Sequence, residues 1–257
     1  MFPIYIPSKG RAGLKRGAVE MLFAAEIPHT IVVDPDDYNT YSRWIVESDK
    51  SALSLLICTP KNNQGLAYVN EYIRQLSISK GESWHWQIND DIWKFSLRRP
   101  KQKAVVMNPG EALYEIESEV GRYSNVGLAG PEEDIWPPTE EPVKINAIPA
   151  QAVLINNAVS ATFRKTNGFE DIDFYLQVLS QSYCTMQFDN IRISAPKPGT
   201  NDGGNEIKLA KRAAYLFQHE RVRWPKVQFN PGGSPGGRPS RRWIMKNFTQ
   251  RPQLITK

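Results

Sequence analysis

A chain of 257 residues with 40% apolar and 23% charged side chains has the apolar content for a real core, and room for one large α/β domain or at most two small ones. It holds no run of about 18 apolar residues, so no transmembrane helix is expected. The net charge of +5 is uneven: residues 205–257 carry twelve Lys and Arg against two Glu, a local +10 that leaves −5 on residues 1–204, so a polyanion is the expected partner of the C-terminal part, with a merely solvated basic tail as the alternative.

The opening Met1-Phe2-Pro3-Ile4-Tyr5-Ile6-Pro7 lacks the basic and long apolar stretches of a signal peptide and reads as a first strand. Residues 14–25 place Leu14, Ala18, Met21, Leu22 and Ala25 on one helical face. Thr30 to Val33 is a β-branched strand ending at Asp34, Tyr38 to Val46 is helical, and Leu53 to Thr59 is a third strand. Leu66, Val69, Tyr72, Ile73 and Leu76 form another helical stripe, and Trp84 to Ile88 is a fourth strand ending at Asn89. Strand ends near residues 6, 33, 59 and 88 lie 27, 26 and 29 residues apart, about one βα unit each, as in a parallel sheet with right-handed crossovers.

After residue 92 the alternation stops. Pro109 to Arg122 is expected as a helix, with proline at its start. Tyr123 to Ala129 reads as a strand and Gly130 to Pro142 as an exposed, proline-rich acidic loop. Ala152 to Ile155 and Met186 to Phe188 are short strands, and Asp173 to Leu179 and Ile207 to His219 are helices. Residues 196–205 and 230–239 are expected as loops. The fold expectation is a single α/β domain over 1–204, a Rossmann-like, mostly parallel sheet flanked by helices, followed by a basic C-terminal extension over 205–257. Cys58 and Cys184 are expected to be buried free thiols in a reducing cytosol. Two cysteines and the scattered His29, His85 and His219 argue against a zinc site.

Ligands of such sheets bind beyond the carboxyl ends of the strands, which directs attention to three elements. Pro7-Ser8-Lys9-Gly10-Arg11 joins a strand to a helix, where small residues let a ligand approach and the helix start favours an anion. It lacks the spacing of a Walker loop, and an ordinary βα turn would also explain it. Asn89-Asp90-Asp91 puts two carboxylates side by side at a strand end, where a cation or a basic group must neutralise them. A hard divalent cation, completing its shell with water and diphosphate oxygens, suits that need. Gly168-Phe169-Glu170-Asp171-Ile172-Asp173 gathers acids at a helix start. They complement the helix dipole, or one of them serves as general base toward an acceptor hydroxyl.

The ordered set of Ile6 to Ala12, Asn62-Asn63-Gln64-Gly65-Leu66 leading to Asn70, Asn89 to Ile92, Gly168 to Asp173 and Asp202-Gly203-Gly204 resembles nucleotide-sugar glycosyltransferases of the GT-A type. More narrowly, it resembles the TET-associated glycosyltransferases encoded by bacteriophages. That resemblance implies transfer of a sugar, from a UDP-sugar first of all, to the hydroxyl of a 5-hydroxymethylpyrimidine in phage DNA, 5-hydroxymethylcytosine in the first instance, in the host cytoplasm. It implies that Pro7, Ser8, Lys9, Arg11, Asp34, Asn62, Gly65, Asn70 and Asp90 line the donor site. Asp91 with Asn89 would hold Mn²⁺ or Mg²⁺, and Asp171 or Glu170 would face the acceptor. Two positions depart from the family pattern: Asn89 stands where an acid is usual, which shifts the metal to Asp91, and Val69 precedes Asn70 where relatives often carry Arg.

A DNA acceptor gives the basic end a purpose. Arg221, Arg223 and Trp224, then Arg238, Arg241, Arg242, Trp243 and Lys246, interleave cations with indoles in a manner suited to phosphate contact and base stacking. The alternative for the two tryptophans is packing onto the main domain. The competing functions are a GT-A enzyme acting on glycan, lipid or protein, a nucleotidyltransferase, and a noncatalytic nucleic-acid-binding protein. No membrane and no obligate protein partner are implied.

Overall fold

The computed structural model describes residues 1–149, 151–165, 169–196, 222–230 and 239–255. Its first half is three βα units and a fourth strand: β1 (Ile4–Pro7), α1 (Ala18–Ala24), β2 (His29–Val33), α2 (Pro35–Glu47), β3 (Ser54–Cys58), α3 (Leu66–Ser79) and β4 (Trp84–Ile88). The hairpin β5 (Lys94–Leu97) and β6 (Val105–Met107) follows, then α4 (Pro109–Val120), β7 (Val126–Glu133), β8 (Val143–Ile145), β9 (Ala152–Asn156), α5 (Glu170–Ser180), β10 (Cys184–Ser194) and a short α6 (Arg241–Asn247).

The strands form one sheet in the order β3-β2-β1-β4-β9-β7-β10-β5-β6, with β8 paired to β10. β1 to β4 are mutually parallel. β9 runs against both β4 and β7, and β10 is parallel to β7. The ends of β1, β2, β3, β4, β7 and β10 therefore all emerge on one edge, and β9 begins there.

Period-2 alternation divides the side chains between the faces. Ile4, Ile6, Ile31, Val33, Trp86 and Ile88 face the main core, where α1, α2 and α4 contribute Leu22, Ile45, Leu113 and Ile116. Tyr5 and Val32 point the other way and meet Ile73 of α3. Leu128 and Ile155 pack with the apolar face of α5 and with Phe229 and Ile244. Trp86 is fully buried and its indole N–H donates to Glu117 Oε1 at 2.8 Å. α4 starts as expected: Pro109 is at its first turn, and the Asn108 side chain accepts from Gly110 N at 2.8 Å.

Four expectations need correction. The first helix begins at Ala18, not near residue 14, because Gly17 before it is extended (φ −167°). Gly130 to Glu133 is not exposed loop: it is the end of β7, and Gly130, Pro131 and Glu132 are buried. A Cβ at Gly130 would lie 2.3 Å from the carbonyl oxygen of Ala152, so only glycine fits there. Pro131 is tolerated because β9 pairs with β7 only at Leu128 and Ala129, leaving that flank without a ladder partner. The strand expected at Met186–Phe188 runs from Cys184 to Ser194. Both cysteines are free, but Cys58 is exposed and only Cys184 is buried.

The expected helix at 207–219, most of the loops at 196–205 and 230–239, and Gly168, Asp202-Gly203-Gly204, His219, Arg221 and Arg238 lie outside the described residues. Among the described residues no helix is long and apolar enough to cross a membrane.

Candidate active site

The carboxyl edge collects the three elements singled out in the sequence. Ser8 leaves β1 with its N–H bonded to the Val32 carbonyl at 2.9 Å. Its hydroxyl donates to Asp90 Oδ2 at 2.5 Å, lies 2.7 Å from the Tyr41 hydroxyl, and that phenol accepts from Arg11 N at 2.9 Å. With the Ser8 proton committed to Asp90, Tyr41 must donate to Ser8. The chain therefore reads Arg11 N–H to Tyr41 to Ser8 to Asp90, and each bond polarises the next. Arg11 closes the circuit: Nη1 is 2.5 Å from Asp90 Oδ1 and 3.4 Å from Asp91 Oδ2. Burial raises the Asp90 pKa, opposed by Ser8 and Arg11, and burial pushes the Tyr41 phenol to about 12. Tyr41 was not anticipated; the sequence placed it only within the helix expected over Tyr38 to Val46.

The turn after β4 is also held from below. The Asp90 carbonyl accepts from Ala18 N at 2.9 Å, at the start of α1. A Cβ on Gly17 would come within 2.4 Å of that oxygen, so glycine is required for the approach. Ser8, Arg11, Gly17, Tyr41, Trp44 and Asp90 line a small half-open pocket at this junction.

A second network joins the ends of β2 and β3. Asp34 is buried; its Oδ2 takes Lys9 Nζ at 3.0 Å and Asn63 N at 3.0 Å, and its Oδ1 takes the Thr59 hydroxyl at 3.3 Å. Asn62 exchanges two bonds with Asp36, at 2.9 and 2.7 Å, and Gly10 N donates to Asp37 Oδ2 at 3.0 Å. Pro7 is within β1, paired to Val32, and Gly65 precedes α3 as its cap residue. On α3, the side-chain oxygen of Asn70 is buried without a hydrogen-bond partner. Its backbone carbonyl accepts from Gln87 Nε2 at 3.0 Å, and Gln87 Nε2 also lies 3.1 Å from His85 Nε2. Burial lowers the His85 pKa to about 4, so the ring is neutral near pH 7.

Asn89 and Asp91, both part-buried, offer hard oxygen donors at the same turn. Asp90 has both oxygens engaged by Ser8 and Arg11; Asp91 Oδ2 lies 3.4 Å from Arg11, and its side chain is 19% exposed against 10% for Asp90. The residues fit a hard divalent cation held by Asp91 with Asn89. Among the described residues no group of three or more His, Cys, Asp or Glu side chains is arranged for a metal, so most of such a shell would come from water and the donor's diphosphate.

The first turn of α5 reaches this edge too. α5 ends at Ser180, just before Cys184, which pairs with Val126 at the start of β7, so the helix runs back from the carboxyl edge. Its acids are not equivalent. Asp173 is fully buried, held by Arg164 Nε and Nη2 at 2.7 and 2.5 Å, Trp224 Nε1 at 2.9 Å and Gln177 Nε2 at 2.9 Å, with Arg223 at 3.6 Å. Asp171 is exposed and Glu170 half-buried. Of the residues expected to face nucleic acid, Arg223 and Trp224 are therefore tied to Asp173. Arg241 donates to the Asn146 carbonyl, which also accepts from Tyr175, and burial lowers its pKa. Trp243 stacks edge-on against Phe248, over the α5 core. Arg242 and Lys246 are exposed.

The family model of the TET-associated glycosyltransferases matches residues 2–204. The chain belongs to this family. The fold of this TET-associated glycosyltransferase is that of the GT-A enzymes. Mannosyltransferase PcManGT from Pyrobaculum calidifontis, solved with GDP-Man and Mn²⁺, superposes with a TM-score of 0.58 at 10% identity, over 90% of this chain and 66% of that chain. The chain thus spans just under two thirds of that protein's length. GalNAc-T7 with UDP, GalNAc and Mn²⁺ matches at a TM-score of 0.49 and 10% identity, over 98% of this chain and 59% of that chain. No curated protein matches the sequence.

Proposed function

We propose that the chain transfers a sugar from a nucleoside-diphosphate sugar, a UDP-sugar in the first instance, to the hydroxyl of 5-hydroxymethylcytosine or a related hydroxymethylpyrimidine in DNA. The observation that carries the donor half is the difference between neighbouring carboxylates: Asp90 is bonded through both oxygens to Ser8 and Arg11, while Asp91 lies farther from Arg11, at 3.4 Å, and is the more exposed of the two. The family's association with TET and the exposed Arg242 and Lys246 support the acceptor half.

Asp91 and Asn89 would hold Mn²⁺ or Mg²⁺, which offsets the charge of the departing diphosphate. Lys9, half-exposed beside Asp34, supplies positive charge for the donor's diphosphate at the first loop. Asn70 offers its unmatched oxygen to a donor hydroxyl or N–H. Asp171, with Glu170 beside it, accepts the proton of the hydroxymethyl group as its oxygen bonds to the anomeric carbon. The bond from that carbon to the diphosphate oxygen breaks, and the nucleoside diphosphate leaves with the electron pair. A single displacement of this kind inverts the anomeric centre.

Mass spectrometry of nucleosides from hydroxymethylated DNA, incubated with a panel of nucleotide sugars and Mn²⁺, tests the reading. A hexose or pentose increment on the hydroxymethyl nucleoside is expected. No increment with any donor would remove the DNA acceptor, and no thermal shift with any donor would remove the donor site.

A further inference from the structure

We propose that Glu133 is a positioning residue of the donor site, acting through Gln151 to fix the orientation of the Asn89–Asp91 turn; this rests on the donor-site reading above. Glu133 ends β7 on the carboxyl edge, two strands from β4. Its Oε1 accepts from Gln151 Nε2 at 2.8 Å. The Gln151 carbonyl in turn accepts the N–H of Asn89 at 3.0 Å, one residue past the end of β4.

Two features mark this as a built relay. Gln151 holds φ at +35°, an unfavourable backbone state for a non-glycine residue. Such a conformation persists only where surrounding contacts over-determine it, and the bond to Glu133 is one such contact. Glu133 is itself immobilised: its N–H donates to Glu132 Oε1 at 3.0 Å, and its carbonyl takes Arg192 Nη1 at 2.9 Å. Arg192 is fully buried, bonded through Nε to the Asp189 carbonyl at 2.5 Å and ion-paired with the Asp189 carboxylate at 3.1 Å. The register of β10 against β7 shifts between Phe188 and Arg192, and such a bulge re-aims side chains. Here the segment carries the guanidinium to the end of β7. The main-chain amide at the start of the Asn89–Asp91 turn is thus linked, bond by bond, to a buried ion pair.

A half-exposed carboxylate bonded to one amide contributes little to global stability, so the relay's effect is expected on the turn. Amide hydrogen exchange reads this directly. In Glu133→Ala the Asn89 amide should exchange at least about tenfold faster than in the wild type, with a melting temperature within a few degrees. Affinity for UDP with Mn²⁺, read by calorimetry, should fall about tenfold, near 1.4 kcal/mol. Glu133→Gln keeps an acceptor for Gln151 and should restore both to within about threefold. Gln151→Ala should reproduce Glu133→Ala, and the double variant should lose nothing more, as for two links of one chain. Should Glu133→Ala fold poorly, Gln151→Ala carries the same readouts. An unchanged Asn89 exchange rate, a Gln variant as impaired as Ala, or additive losses would overturn the relay. A wild-type protein that binds neither UDP nor GDP with Mn²⁺ would overturn the donor-site reading instead, and Asn89 exchange would still decide the relay.

Discussion

The Ser8 hydroxyl donates to Asp90 Oδ2 at 2.5 Å, joining the loop after the first strand to the turn after the fourth. Arg11 takes the other oxygen of the same carboxylate. Two adjacent acids at a strand end thereby acquire different roles. Asp90 is a brace neutralised by Ser8 and Arg11, and Asp91 is the more exposed of the two.

Substitution should separate the two. Asp91→Ala leaves Arg11 its main partner, so its melting temperature should stay near that of the wild type while the Mn²⁺-dependent thermal shift with UDP is lost. Asp90→Ala removes the partner of a part-buried guanidinium and of Ser8, at a cost of ~2–4 kcal/mol. Denaturant titration should show that loss, whether or not nucleotide is present. Equal destabilisation of the two variants would refute the division.

The acids of α5 divide in the same way. Asp173 is fully buried among Arg164, Gln177 and Trp224, so Asp173→Ala strands a cation and an indole N–H and should destabilise by ~3 kcal/mol. Asp171→Asn should leave the melting temperature and nucleotide binding in place while transfer falls by at least about a hundredfold. Retained transfer would move the base to Glu170.

Much of this was legible in the sequence because the βα repeat announces itself. Strand ends at even spacing placed Ser8, Asp34 and Asn89 on one edge, and the sheet bears that out. The second half was less legible for a physical reason. Gly130-Pro131-Glu132-Glu133 has the composition of a loop, and becomes strand only because Gly130 admits the Ala152 carbonyl and one flank of Pro131 has no ladder partner. Its end carries Glu133, whose link to Asn89 through Gln151 has no sequence signature. The same holds for Tyr41: the sequence placed it only within a helix, and the position of its hydroxyl shows that it sets Ser8 and Arg11.

His85 gives the fold a defined acid sensitivity. Its pKa is lowered to about 4 in the fully buried site, against 6.5 for the free group. The unfolded chain therefore binds the extra proton between pH 6.5 and 4, and stability falls as the pH drops through that window. The contribution is fully present above about pH 6.5 and amounts to ~3 kcal/mol by linkage. Melting temperature against pH should fall less steeply in His85→Gln than in the wild type between pH 6.5 and 4. Parallel profiles would show that the ring is not held neutral.

The basic residues of α6 divide between anchor and contact. Arg241 donates to the Asn146 carbonyl beside the Tyr175 hydroxyl, so Arg241→Ala should lower stability by ~1–2 kcal/mol. Arg242 and Lys246 are exposed on the same helix and should cost nothing in stability when removed. If they meet DNA phosphates, the double Ala variant should weaken duplex binding uniformly across sequences. The slope of log K against log salt should flatten by ~2, one per lost phosphate contact. Fluorescence anisotropy across a salt series separates this from loss of fold, which would weaken binding without the matching change in slope. An unaltered slope would leave α6 as a helix that only closes the α5 core, with its cations in solvent.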